Sequence, residues 1–318
     1  MSSNLIDLNN IEKANQDYIH GLELLQTSCI KCRYKPNYLD AIPFFKKAAE
    51  VYRGCGQYEK EVQTREKLVR CFNNEKSYWE EGNEYQKMCK TQINQLKKVE
   101  EAYNSIINSF NSFVGNRTYS DGIKALTKAS NDFIDNGNKE EAEKILDFAF
   151  QGIEKYYHVI TMNDDESHSY IYECIDKYVD LLFDKEKFNK SAEISEKSAE
   201  LLKQEKPDEK RLICKYYGFW ALSELLRKNN KKYKEVVEKG MDYEKSGDTF
   251  CSRINRLVNV INQKDKENES LIKKIYSEIS RNIPSCMAKI VNMKYVQVNI
   301  VKADEIKTND DEDDDDMK

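Results

Sequence analysis

Proline and glycine are scarce in this chain, at four and eleven of 318 residues. Strand-like alternation of apolar and polar residues is nearly absent as well. A sheet protein needs frequent turn residues and that alternation, so both shortages point to long helices. Histidine is almost missing. His20, His158 and His168 stand far apart, and no serine or cysteine sits with them at catalytic spacing, so enzymatic activity and a bound cofactor are not indicated. Gly54-x-Gly56 follows no strand and is no phosphate cradle. No apolar run approaches the ~18 residues that a membrane span requires, and no secretory apolar segment is expected at the start of the chain, because Met1–Asn10 contains polar residues throughout. Membrane contact, if made, is expected to be peripheral, and the expected compartment is the cytoplasm.

Charge and tyrosine are what the chain has in quantity. Charged residues make up 34%, and the twenty tyrosines suit helix interfaces that keep one polar edge wet. Nine cysteines (29, 32, 55, 71, 89, 174, 214, 251 and 286) are scattered singly over apolar faces. They read as reduced thiols serving as small core residues. Cys29-x-x-Cys32 lacks the second ligand pair that zinc needs and the strand–helix setting of a redox site. No metal site is expected. The net charge of −5 is unevenly spread: Asp304–Lys318 carries nine acids and two lysines, which leaves the preceding body slightly basic. That asymmetry suggests two different partners. Basic residues interleaved with acids argue against nucleic acid.

Residues 37–72 set the pattern. Tyr38, Ala41, Ile42, Phe45, Ala48, Ala49 and Tyr52 form one apolar stripe at helical spacing. Gly54-Cys55-Gly56 stops that helix, and a second begins at Gln57-Tyr58, with Val62, Leu68 or Val69, and Phe72 on its apolar face. Two helices joined this tightly pack as an antiparallel hairpin. Pro43 falls one turn inside the first helix, so either Asp40 is the true N-cap or the helix is kinked.

Further helices are expected over Ile11–Leu25, Lys76–Lys90, Ile93–Phe113, Tyr119–Ile134, Lys139–Tyr157, Tyr170–Phe183 and Phe188–Leu202. After Lys206-Pro207-Asp208 come Leu212–Leu226, a short helix around Tyr233 and Met241, Phe250–Ile261 and Leu271–Ile283. Val291–Val301 has a β-branched, partly alternating look that suggests an extended or irregular segment. A turn followed by an acid–base pair and Ala or Val recurs at Gly56, Gly137, Lys187 and Asn230. The last three are spaced more widely than tetratricopeptide (TPR) repeats, with the same logic of stacked hairpins.

Read together, these segments resemble the soluble NSF attachment protein family, and its gamma form most closely. The likeness is carried by TSCIKCRYKPNYLDA, KKAAEVY, GQYEKE, KYVDLLFDKEKFNKSAEISEKSAELLK, IPSCMAKIVNMKYVQVNIV and the acidic tail. It implies an all-α fold: a right-handed, TPR-like solenoid of antiparallel helical hairpins over residues 1–205, with a C-terminal helical bundle over 206–302 and an acidic tail over 303–318. It also implies an adaptor that binds the coiled coil of assembled SNARE complexes and recruits the hexameric ATPase NSF for their disassembly. That role belongs to vesicle fusion and intracellular protein transport, including traffic between endoplasmic reticulum and Golgi. Three sites follow from the resemblance. Cys29, Ile30, Lys31, Cys32, Arg33 and Tyr34 occupy the place of a membrane-touching loop. Lys177, Lys124 and Lys128 match basic positions that face SNAREs. Asp310, Asp311, Glu312, Asp313, Asp314, Asp315 and Asp316 form the ATPase-binding tail, with Met317 in the penultimate place where the family has leucine. The competing expectation is a generic TPR-like scaffold subunit of a cytosolic assembly, without membrane loop or ATPase tail.

Overall fold

A computed structural model of the chain describes residues 2–27, 34–163, 167–243, 249–263 and 268–297. Among these residues there are fourteen α-helices and no strand. The chain divides into two compact units, Met1–Cys174 and Ile175–Lys318, with the division inside one helix. In the first unit lie α1 (Ser2–Leu25), α2 (Tyr38–Gly54), α3 (Tyr58–Asn74), α4 (Tyr78–Thr91), α5 (Val99–Gly115), α6 (Tyr119–Asp135) and α7 (Lys139–Asn163). The dividing helix is α8 (Ser167–Asp184). The second unit continues with α9 (Phe188–Glu205), α10 (Lys210–Leu226), α11 (Asn230–Asp242), α12 (Phe250–Asn262), α13 (Asn268–Ser280) and α14 (Ser285–Val291).

From α1 to α7 each helix packs on the next in sequence, which is the arrangement of a helical-repeat stack. The α2 stripe is buried as its spacing requires: Ala41, Phe45, Ala48, Ala49 and Tyr52 are buried, while Tyr38 and Ile42 are partly so. Tyrosines keep a polar edge satisfied. Tyr52 Oη donates to Asn15 Oδ1 at 2.7 Å, and Tyr276 Oη donates to the Ala288 carbonyl at 2.6 Å.

Asn37, not Asp40, caps α2, accepting the Asp40 N–H on its side chain at 3.1 Å. Pro43 therefore lies within the helix and deprives the Leu39 carbonyl of its usual donor. Leu39 and Pro43 are both exposed, so water reaches the face on which that carbonyl lies.

One turn recurs between helices. Gly56 N–H donates to the Arg53 carbonyl at 3.1 Å and Gln57 N–H to the Tyr52 carbonyl at 2.8 Å. This is a Schellman closure, with Gly56 in the left-handed conformation at φ 69°. The same pair of bonds closes the helices at Lys76-Ser77, Arg117-Thr118, Gly137-Asn138, Glu186-Lys187 and Lys228-Asn229. In every case the second residue of the pair is the first to precede the next helix, and its carbonyl accepts that helix's first hydrogen bond. Left-handed residues fall at 56, 76, 97, 117 and 137, a spacing of 20 or 21 that sets one helix per repeat in the first unit.

The turn at Lys97 departs from the expectation of one helix over Ile93–Phe113. Gln92–Leu96 is instead a π-helical turn ending α4, closed by Lys98 N–H on the Gln92 carbonyl at 2.9 Å, and α5 starts afresh at Val99. Residues up to Gln297 in the Val291–Val301 stretch are helical rather than extended, with a π-helical turn at Asn292–Gln297. The remainder of that stretch lies outside the described residues.

Between α2, α3 and α4 sits a charge cluster that the apolar stripes do not announce. Arg65 is 1% exposed. Its Nε donates to Glu61 at 2.8 Å, Nη1 to Glu84 at 2.6 Å and Nη2 to Glu50 at 2.9 Å. Thr91 and Lys87 donate to the remaining oxygens of Glu61 and Glu84. Burial by itself would depress the guanidinium's pKa, but Glu84, Glu50 and Glu61 outweigh it and hold Arg65 above its ordinary value. Cysteines behave as core thiols: Cys71, Cys89, Cys174, Cys214 and Cys251 are buried, and burial pushes Cys71 up to about 11 and Cys89 up to about 12.

In the second unit α10 is the centre, packed by α9, α11 and α12. It is buried on nearly every side from Ile213 to Leu225, as a helix that is apolar all round must be. Gly218 leaves room for the Phe250 ring against the α10 backbone; a Cβ there would collide with it. The Lys206-Pro207 break is a turn between α9 and α10, which pack extensively on each other.

Among the described residues, five of the seven left-handed turn residues carry a side chain, a conformation that costs about 1–2 kcal/mol per non-glycine residue. Lys76→Gly and Arg117→Gly, both at exposed sites, are each expected to raise unfolding free energy by about 0.5–1 kcal/mol in urea titrations, after the entropy gained by the unfolded chain. Arg65→Met strands two buried carboxylates and should cost about 3–5 kcal/mol by the same measurement, whereas adding Glu61→Leu and Glu84→Leu should recover most of that loss.

Candidate functional site

Charged side chains of the second unit line a groove of about 850 Å³. α8 contributes Asp176, Lys177 and Asp180; α10 contributes Arg211, Leu212 and Lys215. Phe250 and Arg253 come from α12, and the turn between α13 and α14 closes the wall with residues 281–285, including Arg281 and Ile283. Five basic side chains thus line the groove against two acidic ones, an excess of three positive charges in one concavity.

Both acids are committed to structure. Asp176 is salt-bridged to Lys215, and burial pushes its carboxyl pKa up, only partly offset by the Lys215 charge. Asp180 does a different job. Its Oδ1 accepts the Cys286 N–H at 2.7 Å and the Met287 N–H at 3.0 Å, and Ser285 Oγ donates to Oδ2 at 3.4 Å. A side chain of α8 therefore supplies the cap that Pro284, at the N-cap position of α14, cannot. That contact fixes the turn bearing Arg281 against the mouth of the groove.

The backbone explains why these cations converge. Arg211 and Lys215 are one turn apart on α10 and so share a face, as do Lys177 and Asp180 on α8. Arg211 and Arg281 are exposed, and Lys177 and Arg253 are half-buried. Such a surface attracts and hydrogen-bonds anions. Among the described residues, no group of three or more His, Cys, Asp or Glu is placed to hold a metal ion.

Of the residues expected from the sequence to face a partner, Lys177 lies in this groove. Lys124 and Lys128 lie in the first unit on α6, four residues apart on one side of the helix. Lys128 is exposed, while Lys124 donates to Tyr170 Oη at 2.8 Å and rests 4.1 Å from that ring's centre. Tyr34 is 77% exposed just before α2. Cys29, Ile30, Lys31, Cys32 and Arg33 lie outside the described residues, as does the whole tail Asp310–Met317. Arg211, Arg253 and Arg281 were not singled out by sequence, because they lie in three separate segments with nothing in the sequence to join them. No helix of the described residues is long and apolar enough to cross a membrane.

Asp180→Ala is expected to release the α14 start. Amide hydrogen exchange at Cys286 and Met287 should quicken, with about 1–2 kcal/mol lost locally, while amides in α3 keep their protection. Unchanged exchange at those two amides would remove Asp180 from the positioning of the groove.

Comparison with protein-family models and with curated proteins gives no match for this chain.

Proposed function

We propose that the protein is an adaptor that binds assembled SNARE complexes and recruits the NSF ATPase hexamer for their disassembly, in vesicle fusion and intracellular protein transport. The observation that carries this reading is the basic groove around Lys177, in a unit whose described residues form packed helices. The segments of the sequence that resemble the soluble NSF attachment proteins supply the identity of the partners. Lys177 sits where that likeness expects a partner-facing cation, and it stands in a concentration of positive charge.

Charge divides the labour. Cations on the helical units face an acidic coiled-coil bundle, with Lys124 and Lys128 adding to the contact from α6. The nine-acid segment Asp304–Lys318 faces a basic surface of the ATPase. Complementary charge of this kind speeds encounter and sets register more than it adds affinity, so association should weaken as salt rises. Residues 29–34 supply a peripheral membrane contact, which keeps a cytoplasmic adaptor near its substrate. Serial packing of the helices also supports the plainer reading of a TPR-like scaffold, and the two readings part at the ATPase.

The deciding measurement is retention of NSF on beads coated with an assembled SNARE bundle, followed by ATP-driven release. The full chain is expected to retain the ATPase and support release. Neutralising Asp310–Asp316 should abolish retention while leaving bundle binding in place. A chain that binds neither bundle nor ATPase overturns the adaptor reading; one that binds the bundle alone favours a scaffold.

A further inference from the structure

The groove has room for more than the single side chains of a helical partner. Each helix of a bundle is about 10 Å across with its side chains, so a bundle covers the mouth of the cavity and sends only single side chains inside. A volume of about 850 Å³ is instead that of a small-molecule site. Its walls are too charged for an apolar ligand, and Leu212, Phe250 and Ile283 add apolar surface to the lining, against which a carbon ring can lie.

We infer that this groove is a binding site for a compact polyphosphorylated anion: several phosphate monoesters on one small ring, either free in solution or as a lipid headgroup. Three of its five cations are arginines, carried by α10, α12 and the α13–α14 turn. A guanidinium fork holds two phosphate oxygens at once, which a lysine cannot do. Three arginines, arriving from three separate elements, suit several phosphates on one ring better than a single phosphate. Lys177 and Lys215 add point charge from α8 and α10. The acids do not cancel the site: Asp176 is held by Lys215 and Asp180 by the α14 amides. An anion of three or more charges matches the excess of basic over acidic residues in the lining. The inference stands on the groove alone and does not require the adaptor reading.

The test uses the full chain and three probes at near-physiological salt: inositol hexakisphosphate by titration calorimetry, inorganic phosphate as the single-phosphate control, and vesicles containing phosphatidylinositol bisphosphate against phosphatidylserine vesicles of equal charge. Hexakisphosphate is expected to bind well above the phosphate control. The double variant Arg211→Gln with Arg281→Gln, at two exposed positions, should weaken it by at least about tenfold, the usual yield of a charge-assisted hydrogen bond. Binding to soluble hexakisphosphate assigns the free anion as a source; binding to the bisphosphate vesicles alone assigns the headgroup. On the wild-type chain, the bound anion should protect Arg211, Arg253 and Arg281 from phenylglyoxal, read by mass spectrometry. This arm decides the matter even if the double variant does not fold. Absence of binding in all arms, or binding with unprotected groove arginines, overturns the site. None of these probes contains a SNARE or the ATPase, so failure here leaves the bead assay to be judged separately.

Discussion

Between Tyr52 and Glu61 the chain reverses on three backbone hydrogen bonds: Gly56 to Arg53, Gln57 to Tyr52, and Glu61 back to Gln57. The first two consume carbonyls left open at the end of one helix, and the third opens the next. Only one residue need leave ordinary backbone space. Because the reversal is this short, a helix has no choice of neighbour: it must pack on the one just finished. Repeated at six positions in the same form, the reversal turns a string of amphipathic helices into ordered stacks. The side-chain stripes then decide depth and rotation, not order.

The same turn explains what could be read from residues and what could not. Gly56 and Gly137 declare a left-handed site, and the hairpins around them were legible. Lys97 holds that conformation at φ 57° with no glycine or proline nearby, so Ile93–Leu96 read as the start of α5 when it is the π-helical end of α4. Helix faces were legible because burial follows the 3.6-residue period. Pairings across long separations were not: Arg65 with Glu84, or Asp180 with Cys286, leave no periodic trace. Likewise Lys177 was legible only through resemblance. The arginines opposite it became neighbours only when α8, α10, α12 and the α13–α14 turn were assembled.

Two sets of charges in the molecule serve opposite ends. Around Arg65 the cation is 1% exposed and every guanidinium nitrogen is matched to a carboxylate. Such a cluster adds little net stability over apolar packing and penalises any misaligned partner, so it acts on the register of α2, α3 and α4. Around Lys177 the lining cations outnumber the lining acids by five to two, and Arg211 and Arg281 are exposed. The first set surrounds a cation buried among three helices. The second lines a groove open to solvent.

The bond from Asp180 to the start of α14 spans 106 positions of the chain. Synthesis runs from the N-terminus at about 5–20 residues per second, so α8 waits several seconds in the growing chain before its last partner exists. Until then the carboxylate of Asp180 and the faces of α8 and α10 stand open, and the groove has three walls instead of four. A chain interrupted before Ser285 would carry the cations without the turn that closes over them. It would also lack the acidic segment Asp304–Lys318, so its net charge would be more positive by four than that of the finished unit.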